Sequence, residues 1–169
     1  MQLIPSLLKS LCAALVLLMP LAAQALPRPG QAAPPFKVVT TNGQPASLDG
    51  YRGQVLVVDF FATWCSPCRI SIPHLVEMNG KYGKQGLAVL GLSVDEDGER
   101  VVKGFAGEHH ITYPVALAGD SVTADFGVRS VPVMFVIDRK GKVAEVYRGY
   151  SSEIARSMEL LVKRLLAEK

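Results

Sequence analysis

Two stretches of the chain, residues 55–61 and 87–94, are apolar at almost every position, and Asp59 is the one charged residue within them. A strand with one face in solvent alternates apolar and polar residues, so these near-continuous apolar runs predict strands buried on both faces. Residues 66–81, between the two runs, are predicted to form a helix. This order implies two parallel strands joined by a right-handed crossover. The helix therefore begins at the carboxyl edge of the first strand.

The rest of the pattern predicts a single α/β domain, with a mixed central sheet and helices on both faces. Asn42-Gly43 is typical of a hairpin turn and predicts an N-terminal β-hairpin. A second hairpin turn is predicted over residues 138–141. The remaining strands are predicted at 36–40, 113–117, 133–137 and 143–148, and the remaining helices at 99–109, 121–126 and 152–168.

The first 25 residues have the pattern of a secretory signal peptide. Lys9 precedes an uncharged stretch over residues 10–27, Pro20 interrupts its apolar core, and Ala23-Gln24-Ala25 has the small-x-small pattern of a signal-peptidase site. We therefore expect residues 1–25 to be removed and the protein to be periplasmic. The uncharged stretch is also close to the ~20 residues that a spanning helix needs. An uncleaved membrane anchor is therefore the alternative, and contact with a membrane is expected only if the leader is retained.

Residues 26–35, which would follow this cleavage, are rich in Pro, Ala and Gly and are predicted to be a flexible lead-in. One domain is expected over residues 36–169. The net charge is only +3, and the chain has no run of Lys or Arg. Charge therefore gives no reason to expect a nucleic-acid partner.

Loss of the leader removes Cys12 and leaves a single close pair, Cys65 and Cys68. A disulfide that closes so short a loop constrains the unfolded chain little, so this pair indicates chemistry or a metal. Zinc needs about four ligands, and the adjacent His109-His110 does not supply a matching pair. Haem attachment would require His directly after Cys68, where this chain has Arg69. We therefore expect a redox-active pair with no metal and no cofactor.

The position of the pair suits reversible thiol–disulfide exchange. Cys65 follows a buried strand and stands at the start of a helix, where the partial positive charge of the helix N-terminus favours a thiolate over a thiol. The two-residue spacer lets the second thiol attack a mixed disulfide formed by the first. Ser66 and Pro67 carry no charge, so the thiolate should be only moderately stabilised. This favours a reductant with a potential below about −200 mV over a strong oxidant.

Four segments, residues 48–55, 57–69, 72–75 and 126–132, resemble motifs of the thioredoxin superfamily. Within it, the chain is similar to the exported TlpA/ResA-like thiol–disulfide oxidoreductases, from about Pro34 to the C-terminus. The resemblance implies a thioredoxin-like fold. The helix and strand between Gly98 and Leu117 are similar to the insertion that separates this branch from plain thioredoxin.

The resemblance also implies roles for individual residues. Cys65 would be the exposed nucleophile and Cys68 the buried resolving thiol, so that the two form a reversible disulfide. Pro132 matches a cis-proline that lies against the pair, and Val131 would offer backbone groups to an extended peptide. The residues expected to bind or support the substrate are Trp64, Pro67, Val131 and Pro132. For Trp64, an ordinary core tryptophan is the alternative to a lid beside the pair.

Two positions depart from the TlpA/ResA pattern. This branch often has Asn where the chain has Asp59, and often has Glu where it has Ser71. A carboxyl group in an apolar strand should have a raised pKa, which would suit a proton acceptor for Cys68 near neutral pH. The alternative is that Asp59 is paired with a lysine or hydrogen-bonded in the core.

The expected function is the reduction of disulfides in exported cysteine-containing client proteins, with cytochrome c maturation as one setting. Electrons would come from a membrane thiol donor of the DsbD/CcdA type. The alternative is a redox-linked copper chaperone, or a reductant of cysteine ligands in oxidase assembly, for which Met134 is the nearby soft ligand. A peroxidase is not expected, because peroxide-reducing relatives need Thr or Ser at the position of Ala62.

Overall fold

The computed structural model describes residues 26–168, so the predicted signal peptide lies outside the described residues. The first two strands of the described residues, β1 (Lys37–Val39) and β2 (Pro45–Ser47), form a hairpin. A five-stranded sheet follows, formed by β3 (Val55–Phe61), β4 (Leu87–Ser93), β5 (Val115–Leu117), β6 (Val133–Ile137) and β7 (Val143–Arg148).

The strands of this sheet lie in the order β5-β4-β3-β6-β7. Strands β3, β4 and β5 are parallel, and β6 and β7 are antiparallel to their neighbours. The N-terminal hairpin is joined to β5, because the Thr41 N–H donates to the Val115 carbonyl at 2.8 Å. The mixed sheet and the N-terminal hairpin predicted from the sequence are confirmed.

Four helices cover the sheet: α1 (Ser66–Tyr82), α2 (Glu99–Glu108), α3 (Gly119–Asp125) and α4 (Ser152–Ala167). A short 3-10 helix, Leu48–Tyr51, precedes β3, and another, Gly83–Gln85, follows α1. Helices α1, α2 and α4 share one core with one face of the sheet, and α3 packs on the opposite face. Within residues 26–168, no helix is both long and apolar enough to cross a membrane.

The central position of β3 in the sheet explains why apolar and polar residues do not alternate along this strand. Leu56, Val58 and Phe60 enter the core beneath α3, whereas Val57 and Phe61 enter the core beneath α1. Both faces are covered, so every residue of β3 is buried. Because side chains alternate along a strand, Asp59 points to the same face as Val57 and Phe61, towards α1.

The segment 26–35, predicted to be a flexible lead-in, is instead tied to the sheet. The Gly30 N–H donates to the Val143 carbonyl at 2.7 Å, and the Ala33 N–H donates to the Gly141 carbonyl at 2.9 Å. Ala33 is buried at 5% exposure. The segment therefore covers the start of the edge strand β7, whose unpaired backbone groups would otherwise face solvent. That prediction was wrong, because composition alone does not show which backbone groups find a partner.

Candidate active site

The two cysteines lie at the start of α1, at the carboxyl end of β3, and form a disulfide with Sγ atoms 2.08 Å apart. Cys65 is the N-cap of the helix, and its Sγ accepts a hydrogen bond from the Cys68 N–H at 3.2 Å. Pro67 lies in the first turn, where its missing N–H leaves no helical hydrogen bond unmade. The backbone thus directs the positive end of a 17-residue helix at Cys65.

The two sulfur-bearing residues differ in access to solvent. Cys65 keeps 4% of its surface exposed, whereas Cys68 is completely buried. The expected burial of Cys68 is observed, whereas the expected exposure of Cys65 is not, because only a small part of its surface reaches solvent. In the disulfide form, an incoming thiolate can reach Cys65 but not Cys68.

Trp64 is 65% exposed, so the alternative of an ordinary core tryptophan is wrong. It lines an open groove of about 540 Å³ between the cysteine-bearing turn and α2. Arg100 and Glu108 of α2 also line this groove, with Arg69 beside Trp64. A groove with an exposed indole and charges of both signs lies next to Cys65.

The peptide bond between Val131 and Pro132 is cis, as the resemblance implied. Pro132 is buried, and its carbonyl accepts a hydrogen bond from the Gly149 N–H at 2.9 Å. Val131 is half-buried and packs against the core cluster that contains both cysteines. The fold therefore brings Val131, more than sixty positions along the chain, to the core cluster that also contains the two cysteines.

Asp59 is fully buried beneath α1, and neither carboxylate oxygen has a hydrogen-bond partner among the described residues. Its neighbours across the sheet are Gly91 on β4 and Met134 on β6, neither of which offers a polar side chain. Burial without compensation raises the pKa of Asp59 to about 7. The alternative, a carboxylate paired with lysine or hydrogen-bonded in the core, is therefore wrong.

Tyr113 lies close to this carboxyl group. An ideal Cβ placed on Gly91 would be 3.3 Å from Cε2 of Tyr113, so the phenol ring packs over the glycine opposite Asp59. Burial raises the pKa of Tyr113, and the charge of Asp59 raises it further. Asp59 and Tyr113 are thus two ionisable groups in the core beneath α1.

Ser71, which stands where the TlpA/ResA-like branch often has Glu, is fully buried, and its hydroxyl donates to the Cys68 carbonyl at 2.9 Å.

Sequence reasoning missed a second buried carboxylate, Asp95, which follows β4. Its oxygens accept hydrogen bonds from the Thr63 N–H at 2.9 Å, the Thr63 hydroxyl at 2.6 Å and the Ser93 hydroxyl at 2.6 Å. Thr63 is also bonded to Arg69: its carbonyl accepts two hydrogen bonds from the Arg69 guanidinium, at 2.7 and 3.2 Å. The usable signal was topological, because the carboxyl ends of parallel β3 and β4 meet at the same edge of the sheet.

Comparison with known proteins agrees with this geometry. Residues 28–160 match the family model described as Redoxin. The chain is 31% identical to the thioredoxin-like protein YneN of Bacillus subtilis over 121 residues, covering 71% of each chain. It is 35% identical to the thiol-disulfide oxidoreductase ResA of Geobacillus thermodenitrificans, covering 71% of this chain and 69% of the relative.

A similar solved structure is that of a thiol:disulfide interchange protein of the thioredoxin family from Chlorobium tepidum. The TM-score is 0.73 at 33% identity, and the match covers 85% of this chain and all of that one.

Proposed function

We propose that this chain, which belongs to the Redoxin family and is a ResA-like thiol–disulfide oxidoreductase of the thioredoxin superfamily, reduces disulfides in exported proteins. The observation that carries the proposal is the unequal pair at the start of α1, with Cys65 4% exposed and Cys68 completely buried, together with the unpartnered acid Asp59 in the core beneath the same helix. Such a pair separates the attacking thiol from the resolving thiol.

The first step is attack by the Cys65 thiolate on a client disulfide. A bond forms between Cys65 Sγ and one client sulfur, the client S–S bond breaks, and the second client sulfur leaves as a thiolate. Val131 and Trp64 flank the site where the client chain would lie. The N-terminus of α1 stabilises the attacking thiolate before the reaction.

In the second step, Cys68 resolves the mixed disulfide. Ionised Asp59 accepts the Cys68 proton, and the resulting thiolate attacks Cys65 Sγ and expels the first client sulfur. The client gains two electrons in total, and the protein is left with the Cys65–Cys68 disulfide. A carboxyl group with a pKa of about 7 suits this role, because it exchanges a proton readily near neutral pH.

Insulin disulfide reduction tests the order of attack. Cys65→Ser should abolish the reaction, whereas Cys68→Ser should complete the first step and accumulate a mixed disulfide that nonreducing mass spectrometry detects. Cys12 is removed with the leader in the test protein, so it cannot contribute a thiol. Adducts on Cys68 in the Cys65→Ser protein would reverse the assignment.

Stopped-flow measurement of the second step tests Asp59. Asp59→Asn keeps the shape of the side chain but cannot accept a proton, so resolution should slow by about tenfold or more. The first step should keep its rate. An unchanged resolution rate between about pH 6 and pH 9 would remove Asp59 from the mechanism while leaving the roles of Cys65 and Cys68 intact.

We further propose a periplasmic location, based on the leader sequence, and a membrane thiol donor of the DsbD/CcdA type that restores the dithiol. Clients in cytochrome c maturation fit a reductant that acts on exported cysteine pairs. Clients captured as mixed disulfides on Cys68→Ser in intact cells would identify them. The copper alternative lacks support, because Met134, its nearby soft ligand, is fully buried.

A further inference from the structure

The turn that carries Cys65 is held at Thr63. The Cys65 N–H donates to the Ala62 carbonyl at 3.1 Å, which closes a tight turn with Thr63 and Trp64 at its centre. Trp64 is largely exposed, so the position of the turn depends on Thr63. All three polar groups of Thr63 have hydrogen-bond partners. Its N–H and its hydroxyl donate to the Asp95 carboxylate, and its carbonyl accepts from the Arg69 guanidinium.

Asp95 is built as an anchor. It is 7% exposed and accepts three short hydrogen bonds, which offset the desolvation of its carboxylate. Two of the three donors belong to Thr63, two residues before Cys65. The third donor is the Ser93 hydroxyl, which also accepts from the Asp95 N–H at 3.0 Å and keeps the acid in place.

The Thr63 carbonyl in turn holds a positive charge at the start of α1. Among the described residues Arg69 forms no salt bridge, although Asp97 and Glu108 line the same groove. These carboxylates would compete for the guanidinium if it left the Thr63 carbonyl. The orientation of the Thr63 peptide therefore keeps the Arg69 charge next to the first turn of the helix, where the Cys65 thiolate forms.

We propose that Asp95 is a positioning residue of the exchange reaction, which through Thr63 fixes the turn before Cys65 and holds the Arg69 guanidinium beside the pair. The proposal rests on the thiol–disulfide function proposed above. Its consequence is electrostatic: loss of the anchor moves a positive charge away from the Cys65 thiolate, and the dithiol loses stability relative to the disulfide.

Thr63→Val is the sharpest perturbation. It removes the 2.6 Å hydroxyl bond to Asp95 but keeps the β-branched shape, the N–H donor and the net charge. At about pH 7, alkylation of reduced Cys65 by iodoacetamide should slow about threefold, and the equilibrium with glutathione should move about threefold towards the disulfide, as expected for one hydrogen bond acting on a partly exposed charge. Asp95→Asn is less suitable, because an amide nitrogen would face donors and put folding at risk.

Thr123→Val is the matched control. It makes the same side-chain change on α3, on the opposite face of the sheet, where the Thr123 hydroxyl donates to the Gly119 carbonyl at 2.8 Å, and it should leave both readouts unchanged. The Thr63→Val effect should also vanish in an Arg69→Gln background, since the guanidinium transmits it. Equal shifts in Thr63→Val and Thr123→Val, or a Thr63→Val effect that persists without Arg69, would overturn the proposal.

The results of these experiments distinguish a failure of the positioning role of Asp95 from a failure of the proposed thiol–disulfide function. If the unmodified protein exchanges with glutathione and reduces insulin but Thr63→Val behaves identically, only the positioning role of Asp95 fails. If the unmodified protein exchanges with neither, the proposed function fails first. The urea midpoint of each variant shows whether a change in alkylation rate or in the glutathione equilibrium accompanies a loss of folding stability. Changes in these two readouts that follow the urea midpoint would count against the proposal.

Discussion

Replacement of Asp59 by Asn should stabilise the protein in a pH-dependent way. The carboxyl group is fully buried without a partner, and burial raises its pKa from 3.8 to about 7. Between these two values the folded protein keeps the proton that the unfolded chain has released. The unfolded state therefore binds fewer protons, and the free energy of unfolding falls as the pH rises through this window.

The magnitude follows from the same two values. Each pH unit between the unfolded pKa of 3.8 and the folded pKa of about 7 lowers the free energy of unfolding by about 1.4 kcal/mol, so the complete loss is about 4 kcal/mol. Asn resembles the protonated acid in shape and polarity. The variant should therefore match the parent near pH 4 and exceed it by up to about 4 kcal/mol above pH 7.

Urea unfolding of the oxidised protein, measured at intervals from about pH 4 to pH 8.5, provides the test, because no thiol titrates in the disulfide form. Asp125→Asn, at an exposed position on α3, is the control and should differ from the parent by a small, nearly constant amount. A stability difference between Asp59→Asn and the parent that stays constant across this range would refute the raised pKa of Asp59.

Three further predictions concern the potential, the N-terminus and the sheet. The Cys65–Cys68 pair, equilibrated with glutathione buffers, should have a potential below about −200 mV, and a value near −120 mV would exclude a reductant. Edman sequencing of periplasmic material should begin at Leu26, whereas an intact Met1 in the membrane pellet would indicate the anchored form. Gly91→Ala should lower the free energy of unfolding by about 1–3 kcal/mol in urea titrations, since its Cβ would lie 2.9 Å from Val115 Cγ1. An unchanged midpoint would mean that β5 moves aside without penalty.

The elements that the sequence predicted well are those in which one physical signal dominates. Residues 55–61 carry apolar side chains for both faces of a sheet, and a strand of the same bounds is observed. The hairpin strands Val133–Ile137 and Val143–Arg148 also match their predicted bounds, because a turn signal separates two apolar runs. The redox pair was predictable because its chemistry needs only two residues at a short spacing.

The anchor at Asp95 and the lead-in at 26–35 could not be predicted in the same way. Asp95 follows a strand in an acidic stretch, where a solvated loop is the ordinary interpretation, and two of its three donors lie 32 positions away at Thr63. The lead-in pairs with Gly141 and Val143, more than a hundred positions along the chain. Both features depend on which distant backbone and side-chain groups meet, and local composition does not carry that information.

The two carboxylates near the pair show opposite solutions to the burial of a charge. Asp95 accepts three hydrogen bonds, so it serves as a fixed point for the turn before Cys65. Asp59 has no donor, so burial raises its pKa to about 7 and it holds its proton up to neutral pH, and ionisation above that pH makes the fold less stable. A residue chosen for stability alone would not leave both oxygens of Asp59 without a partner. The missing hydrogen bonds are therefore the strongest structural argument that Asp59 serves the chemistry of Cys68.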